Sequence, residues 1–499
     1  MRRLLLLAVL TALAAPPAAA QFLAPDTVGT PLTLAEAIRL AVEQSPEVRR
    51  SELADRSLGS AVRAARAGRL PTLQARVTPQ QSYGLAFDQT TGQVASQTVE
   101  QAGFSVFGQL PIYDGGRIGA TIRQVELERD ATAAGLERTR QEVALDVAQG
   151  FLQLLLDREI VEIQAEQLAA AEGQLARVAE LVEAGARPRG DLIAQQSVVA
   201  ERQTALVEAR GAVALDRVTL VQAIGLDPAG AYRFVGPDAE ALAVTGALAY
   251  APRPAPALVA AAREGRSDRR AQLLRIQAAE AAVGVARASG RPSLALTGQV
   301  GTGYSSLQRQ LTNPDAIQPT VPVTLADGTE VFVGGAPFTV PTGSPALEQT
   351  PFFDQFADNR SGSLELSLTV PIFDRFQTRR GVTEAQVAVE DARIALETLD
   401  RAVAADVLQS VVQAETAQAR LAAARVQAEA AAAALRVERD RYLFGAGTLY
   451  DVAEAQARLA EAEGARAQAA YTLVFRVALV RLAVGDVDVA GLADQITGE

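Results

Sequence analysis

VEAGARPRGDLIAQQ, Val182 to Gln196, and YLFGAGTLYDVAEAQ, Tyr442 to Gln456, are two versions of one segment. Each interrupts an Ala-, Glu- and Arg-rich pattern once, at Gly185 in the first and at Gly445 and Gly447 in the second, then restarts it with an aspartate, Asp191 or Asp451. A second matched pair lies upstream: LPIYDGGR, Leu110 to Arg117, and VPIFDRFQ, Val370 to Gln377. Pro111 and Pro371 are 260 residues apart, and so are Asp191 and Asp451, so the 80 residues between these marks carry no net insertion in either copy. Matched length inside one repeated chain makes the length itself structural.

The matched stretch reads as helix. From about Gly115 to Glu183 the chain has no proline, and Val147, Leu154, Val161, Leu168, Leu175 and Val182 recur every seven residues. The second copy answers with Val407, Ala414, Leu421, Ala428, Leu435 and Tyr442. A sustained seven-residue repeat signals a coiled coil, and about 70 residues at 1.5 Å each give a rod of roughly 100 Å. Beyond the first break the chain turns back with Leu192, Val199, Leu206, Val213 and Leu220 and ends near Gly225. The second return helix reads as weaker, because Arg466 stands where the first has Leu206. Each copy therefore predicts a long antiparallel helical hairpin with glycine at its tip.

Before each long helix the period changes from seven to two. SLELSLTVP puts Leu364, Leu366, Leu368 and Val370 on one face, and Ser363, Glu365, Ser367 and Thr369 on the other. Ala102, Phe104, Val106, Gly108 and Leu110 repeat this in the first copy, with upstream partners beginning at Pro71 and Pro292. The spans predict strands at about 71–86, 98–111, 292–304 and 361–371. Aromatics near the strand ends suit an outer-membrane barrel, while a small soluble sheet with one buried face would carry the same alternation. Single-chain barrels begin at eight strands, so a barrel built from these four is shared among subunits. Pro71 and Pro111 are 40 residues apart and Pro292 and Pro371 are 79 apart, which leaves 39 extra residues between the second pair of strands. This Pro-, Gly- and Thr-rich stretch, within 305–359, reads as an outside loop or a disordered linker, with Asp327 and Gly328 as a hairpin turn.

The resulting layout is a leader at 1–20, a first repeat at 21–230 with an opening helix 33–68 and hairpin 115–224, and a linker at 231–255. A second repeat follows at 256–485, with helix 256–289 and hairpin 375–484, and then a tail at 486–499. MRRLLLLAVLTALAAPPAAA has two arginines, a short apolar run and an Ala-Ala-Ala end, the pattern of a secretory leader cut before Gln21. No later 18-residue run is uninterruptedly apolar, since even YTLVFRVALVRLAVG carries Arg476 and Arg481. The 499 residues include no Cys, His or Trp, which excludes thiol chemistry, His-based acid-base catalysis, the commonest zinc sites and a lipid attached through cysteine. No cofactor or metal site is expected. The net charge of -11, or -13 once Arg2 and Arg3 leave with the leader, argues against nucleic acid as partner.

In this order, doubled and evenly spaced, the segments resemble the TolC family of outer-membrane efflux proteins over essentially Leu32 to Gly485; TLAEAIRLAVEQSPEVRR is similar to that family's opening helix. The resemblance implies a mainly α fold with a membrane β part: a homotrimer whose twelve strands form one open β-barrel in outer-membrane lipid, continued by an α-barrel tunnel of coiled-coil hairpins across the periplasm. It implies an export duct of a tripartite efflux or type I secretion system, not an enzyme, whose hairpin tips meet a periplasmic adaptor (membrane fusion protein) and an inner-membrane transporter. It also implies an entrance at the tips, lined by two acidic residues that match Asp451 and Glu454. In the family a tyrosine before the second turn bonds an aspartate of the first tip and holds the entrance closed; Tyr442 and Asp191 match. The family's arginine after the second glycine is missing, because Gly447 stands there, and Arg187 or Arg189 on the first tip are the candidates to substitute.

The same residues admit plainer readings. Thr448 with Asp451 fits a T-x-x-D capping box, Asp191 lies in a first turn where negative charge is favoured, and Glu454 fits a solvated face. Three residues apart on a helix, Asp451 and Glu454 share one face in either case. Two other classes compete with the duct. A secreted coiled-coil stalk or adhesin would show heptads and a leader without needing two amphipathic strand pairs, and a carboxylate enzyme would need acids converging in a pocket.

Overall fold

The computed structural model describes residues 30–88, 93–237, 254–311, 320–341, 347–487 and 491–497, with 241 and 489. The leader 1–20 and most of the linker 231–255 lie outside the described residues. The chain runs through β1 (Thr30–Leu32), α1 (Leu34–Gln44), α2 (Pro46–Ala67), β2 (Thr72–Asp88), β3 (Gln93–Tyr113), α3 (Arg117–Glu183), α4 (Arg189–Ile224) and β4 (Tyr232–Phe234). It continues through α5 (Ala255–Gly265), α6 (Ser267–Ala288), β5 (Ser293–Ser305), the short α7 (Phe352–Asp358), β6 (Ser361–Thr369), α8 (Gln377–Leu443), α9 (Leu449–Val484) and α10 (Leu492–Thr497). The ascending helices α3 and α8 have 67 residues each, and the return helices α4 and α9 have 36 each. Corresponding ends are punctuated alike: Gly185 and Gly445 take φ of 73° and 76° at the tips, and Gly225 and Gly485 take 85° and 81° at the return C-caps.

The repeats are not the compact units. One unit combines Met1–Ala61, Gln124–Glu280 and Val387–Glu499, and the other combines Val62–Arg123 and Ala281–Gln386, so each draws on both copies.

In the helical unit, α1 starts from a complete capping box between Thr33 and Glu36 and buries Leu34, Ala37, Ile38 and Ala41, one face of a 3.6-residue period. These side chains join a core with Val147, Phe151 and Leu154 of α3, Leu220 and Ile224 of α4, and Tyr471, Leu473 and Val477 of α9. Parallel pairing of β1 with β4 brings Phe234 edge-on to Phe151 at 5.8 Å. Each of the Val, Leu, Ile and Phe side chains contributes about 1.5–3 kcal/mol on burial. The α8 seam Val407, Ala414, Leu421, Ala428, Leu435 and Tyr442 is buried throughout. The second return helix differs from expectation: α9 is the more extensively buried of the two, because its C-terminal half packs in cores that include α1, α5 and α10 as well as the hairpin. One 18-residue window of α9 is apolar enough to cross a membrane, but most of it is buried in this core.

The opening helix of each copy is also two helices. Ser45 is extended, with ψ of 128°, as the residue before Pro46 is biased to be. Arg266 repeats the break with ψ of 125° and no proline; its buried guanidinium is held by Asp268 at 2.7 Å and Asp406 at 3.1 Å.

The second unit is a four-stranded antiparallel sheet in the order β6-β5-β3-β2. Its register places Leu73, Val77, Phe104, Val106, Val300, Leu364, Leu366 and Leu368 on one face, and Gln74, Arg76, Ser105, Gln299, Thr297 and Glu365 on the other. The apolar face is largely uncovered, with Leu73 74 % and Leu364 76 % exposed, which contradicts a soluble sheet with one buried face. The outer edges of β2 and β6 pair with no other strand among the described residues. In the long insertion, residues 320–322 pair with 339–341 and 332–333 with 336–337, and Gly328 at φ of 85° turns the chain beside Asp327. Residues 312–319 and 342–346 lie outside the described residues.

Asp114 and Asp374 accept hydrogen bonds from the Ile118 and Thr378 amides and so start α3 and α8 alike. Between cap and helix the first copy uses Gly115 and Gly116 at φ of 72° and 89°. The second copy puts Arg375 and Phe376 into the same left-handed region, at 55° and 63°.

Candidate functional site

At the first tip, α3 closes with Ala186 and Arg187 both donating to the Leu181 carbonyl, and α4 begins after Pro188 without a side-chain cap. At the second tip, Ala446 and Gly447 donate to the Arg441 carbonyl in the same way. Gly185 and Gly445 supply the left-handed residue of each turn. Gly447 has a different reason: a Cβ there would lie 3.2 Å from the Arg441 Cβ and 3.3 Å from the Tyr442 nitrogen. Thr448 then caps α9, its hydroxyl accepting from the Asp451 amide at 3.3 Å while the Asp451 carboxylate accepts from the Thr448 amide at 2.9 Å. Those Thr448 bonds hold the Asp451 carboxyl below its ordinary range.

The two tips meet within one chain. Val178 of the first hairpin packs with Leu435, Tyr442, Leu449 and Val452 of the second, with Val182 and Leu192 against them. Over this cluster the Arg187 guanidinium donates to the Tyr442 carbonyl at 3.0 Å and lies 4.4 Å from the centre of its ring. Arg187, not Arg189, makes this contact. The bond expected between Tyr442 and Asp191 is not made. The Tyr442 side chain is 3 % exposed, and its hydroxyl is buried with no hydrogen-bond partner among the described residues. Burial pushes the phenol up, the Arg187 charge opposes this, and the Asp191 charge adds to it, so Asp191 acts on Tyr442 as a neighbouring charge.

Asp451 and Glu454 line a single groove of about 410 Å³ between α8 and α9, shared with Ala430, Ala434, Glu438, Arg458 and Glu461. Four carboxylates against one guanidinium make it acidic. Glu454 accepts from Arg458 one turn on, and Glu438 pairs with Arg441 at 2.9 Å. Capping therefore occupies Asp451 without withdrawing it from the groove. Sequence reading missed Glu438, Arg458 and Glu461; the last two follow Glu454 at four and seven residues, a spacing that marks one helix face.

This combination of doubled long hairpins and an exposed-apolar sheet defines a class. Residues 37–226 and 348–486 match the family of outer membrane efflux proteins, and the chain belongs to that family. It is an outer-membrane protein. Protein CyaE of Bordetella pertussis is 24 % identical over 370 residues, 73 % of this chain, and the match spans 65 % of CyaE's length. The Campylobacter jejuni outer membrane channel CmeC has a similar fold, with a TM-score of 0.68 at 15 % identity over 93 % of this chain, and so has VceC of Vibrio cholerae, with a TM-score of 0.66 at 16 % identity over 91 % of this chain. The alignments cover 89 % of CmeC and 96 % of VceC.

Proposed function

We propose that three copies of this protein form one export duct, closing their four-stranded sheets edge to edge into a twelve-stranded barrel and continuing it as a helical tunnel. The observation that carries this reading is the sheet itself. It has an uncovered apolar face, a polar opposite face and two edges that pair with no other strand among the described residues, and a bilayer tolerates strands only when every edge is paired. Lipid takes the apolar face, the neighbouring copies take the edges, and the polar face lines the lumen. A coiled-coil stalk needs no such sheet.

In this duct the hairpin tips are the periplasmic entrance. Three copies of Asp451 and Glu454 set a ring of six carboxylates there, and the Arg187–Tyr442 contact holds the tips together in the closed state. Leu443, Phe444 and Tyr450 are exposed around the second turn and offer apolar contacts to a periplasmic adaptor, which couples the duct to an inner-membrane transporter. Selection of cargo rests with that transporter, so efflux and type I secretion are both served by this geometry. The test is extraction of the full chain from outer-membrane fractions. A heat-modifiable trimer that resists SDS and conducts in planar bilayers is expected; a monomer without conductance overturns the reading.

A further inference from the structure

Helix α7 lies in the insertion that the first repeat lacks, and it is built onto the end of β5 remote from the starts of α3 and α8. Beyond Ser361, where β6 stops pairing, the Gln355 side chain takes over the edge of β5. Its carbonyl accepts from the Ser305 amide at 2.8 Å and its amide donates to the Ser305 carbonyl at 3.1 Å, as a paired strand would. Asn359 donates to the Gly303 carbonyl at 2.7 Å, and Thr302 donates to the Phe356 carbonyl at 2.8 Å. The helix is thus fixed to the sheet by four hydrogen bonds rather than tethered by a loop.

Its rings continue the apolar face. Phe104 and Tyr304 belong to the face that carries Val106 and Val300, by strand alternation. Phe356 packs edge-on to Phe104 at 4.5 Å, Phe352 lies 5.2 Å from Tyr304, and Phe353 meets Phe352 at 5.4 Å. At about 100° per residue, Phe352, Gln355, Phe356 and Asn359 turn to the sheet and Asp354 and Asp358 point away from it, exposed. Phe353 occupies the flank between, 82 % exposed. A helix with one side on the wall, a carboxylate side that must stay in water and an aromatic flank fits the depth where hydrocarbon gives way to headgroups, since rings favour that boundary and a carboxylate in the core is costly.

We propose that α7 is an interfacial anchor that seats Phe353 in the external leaflet of the outer membrane, at headgroup depth. The proposal rests on the barrel reading, and the experiment separates the two. Because the chain has no tryptophan, Phe353→Trp makes a protein with one indole emitter, and Leu364→Trp makes its counterpart on the central apolar face. Ala357→Trp, one turn from Phe353 on the same flank, is the second variant. Each full-length trimer is reconstituted in phosphatidylcholine vesicles carrying bromine near the headgroups or near the bilayer centre. F353W and A357W should emit to the blue of water-exposed indole, lose emission several-fold more to shallow than to central bromines, and resist iodide; L364W should respond most to central bromines. Emission typical of water with iodide quenching would make α7 an aqueous loop element. Blue emission that neither bromine nor iodide quenches would place Phe353 against another copy of the chain. Either result overturns the anchor while L364W still reports lipid. If L364W itself meets no lipid, the barrel reading fails and the anchor falls with it.

Discussion

The Arg187 guanidinium covers the Tyr442 ring at 4.4 Å and binds its carbonyl at 3.0 Å, joining the tip of the first hairpin to that of the second. A contact of this type is worth about 0.5–2 kcal/mol, or a several-fold change in the balance between closed and open tips. Arg187→Ala should therefore raise the open fraction several-fold in planar-bilayer recordings. Tyr442→Phe keeps the ring and removes only a hydroxyl that has no partner among the described residues, so it should leave conductance unchanged. A Tyr442→Phe channel as open as Arg187→Ala would mean that the hydroxyl, and with it Asp191, forms the latch.

The left-handed pair Arg375 and Phe376 makes a prediction about stability. A non-glycine residue in this region costs about 1–2 kcal/mol, and the extra freedom of glycine in the unfolded chain returns about 0.4–1 kcal/mol of that. Arg375→Gly should therefore stabilise the protein slightly, by up to about 1.6 kcal/mol on these terms. Gly115→Ala in the first copy should destabilise it by more, because its Cβ would fall 2.7 Å from the Ala288 carbonyl oxygen as well as requiring φ of 72°. The temperature at which the heat-modifiable band converts to monomer measures both. A destabilised Arg375→Gly would show that the side chain makes contacts worth more than the strain.

What was legible in the sequence follows from periodicity and repetition. Alternation assigned Leu364, Leu366 and Leu368 to one face, and the heptads found the Tyr442 seam, because both signals are local and each copy checks the other. The helix break at Arg266 was not legible: Gly265-Arg266-Ser267 has no proline, and the extended backbone is accompanied by ion pairs to Asp268 and to Asp406, the latter 140 residues away in sequence. The depth of burial of α9 was missed because a heptad describes packing between two helices, and Leu473 and Val477 sit among more than two. The choice between Arg187 and Asp191 as the neighbour of Tyr442 depends on side-chain direction at a turn, which spacing does not encode. The α7 segment FFDQFAD is too short for any period to show.

Asp157 of α3 and Asp216 of α4 form a carboxyl pair inside the first hairpin. Burial, then the hydrogen bond and charge of Asp216, push Asp157 up to about 6, against a smaller lowering by Gln153. The folded protein thus holds this proton more tightly than the unfolded chain does. The stabilisation is complete below the ordinary carboxylate range near pH ~4 and is lost as pH rises through about 6. Thermal unfolding followed by circular dichroism should show stability falling from about pH 4 to about pH 7. Asp157→Asn, which stays neutral throughout, should flatten that slope. An unchanged slope would assign the dependence to another group.

The groove beside the second tip supplies the last prediction. If Asp451 and Glu454 of three copies face a common constriction, their like charges raise the local potential, attract cations and bind multivalent ones most strongly. Capping alone makes no such demand. Asp451→Asn with Glu454→Gln removes both charges and keeps nearly the same volume, and asparagine retains an oxygen able to accept at the start of α9. The double variant should therefore assemble normally. In a planar bilayer under a salt gradient it should lose much of its cation preference, and a trivalent cation on the periplasmic side should no longer block it. Glu438 and Glu461 line the same groove and remain, so a residual preference is expected, and changing them as well should remove it. If the double variant forms trimers with selectivity and block intact, the two residues serve only to start the helix, and the narrow point of the duct lies elsewhere.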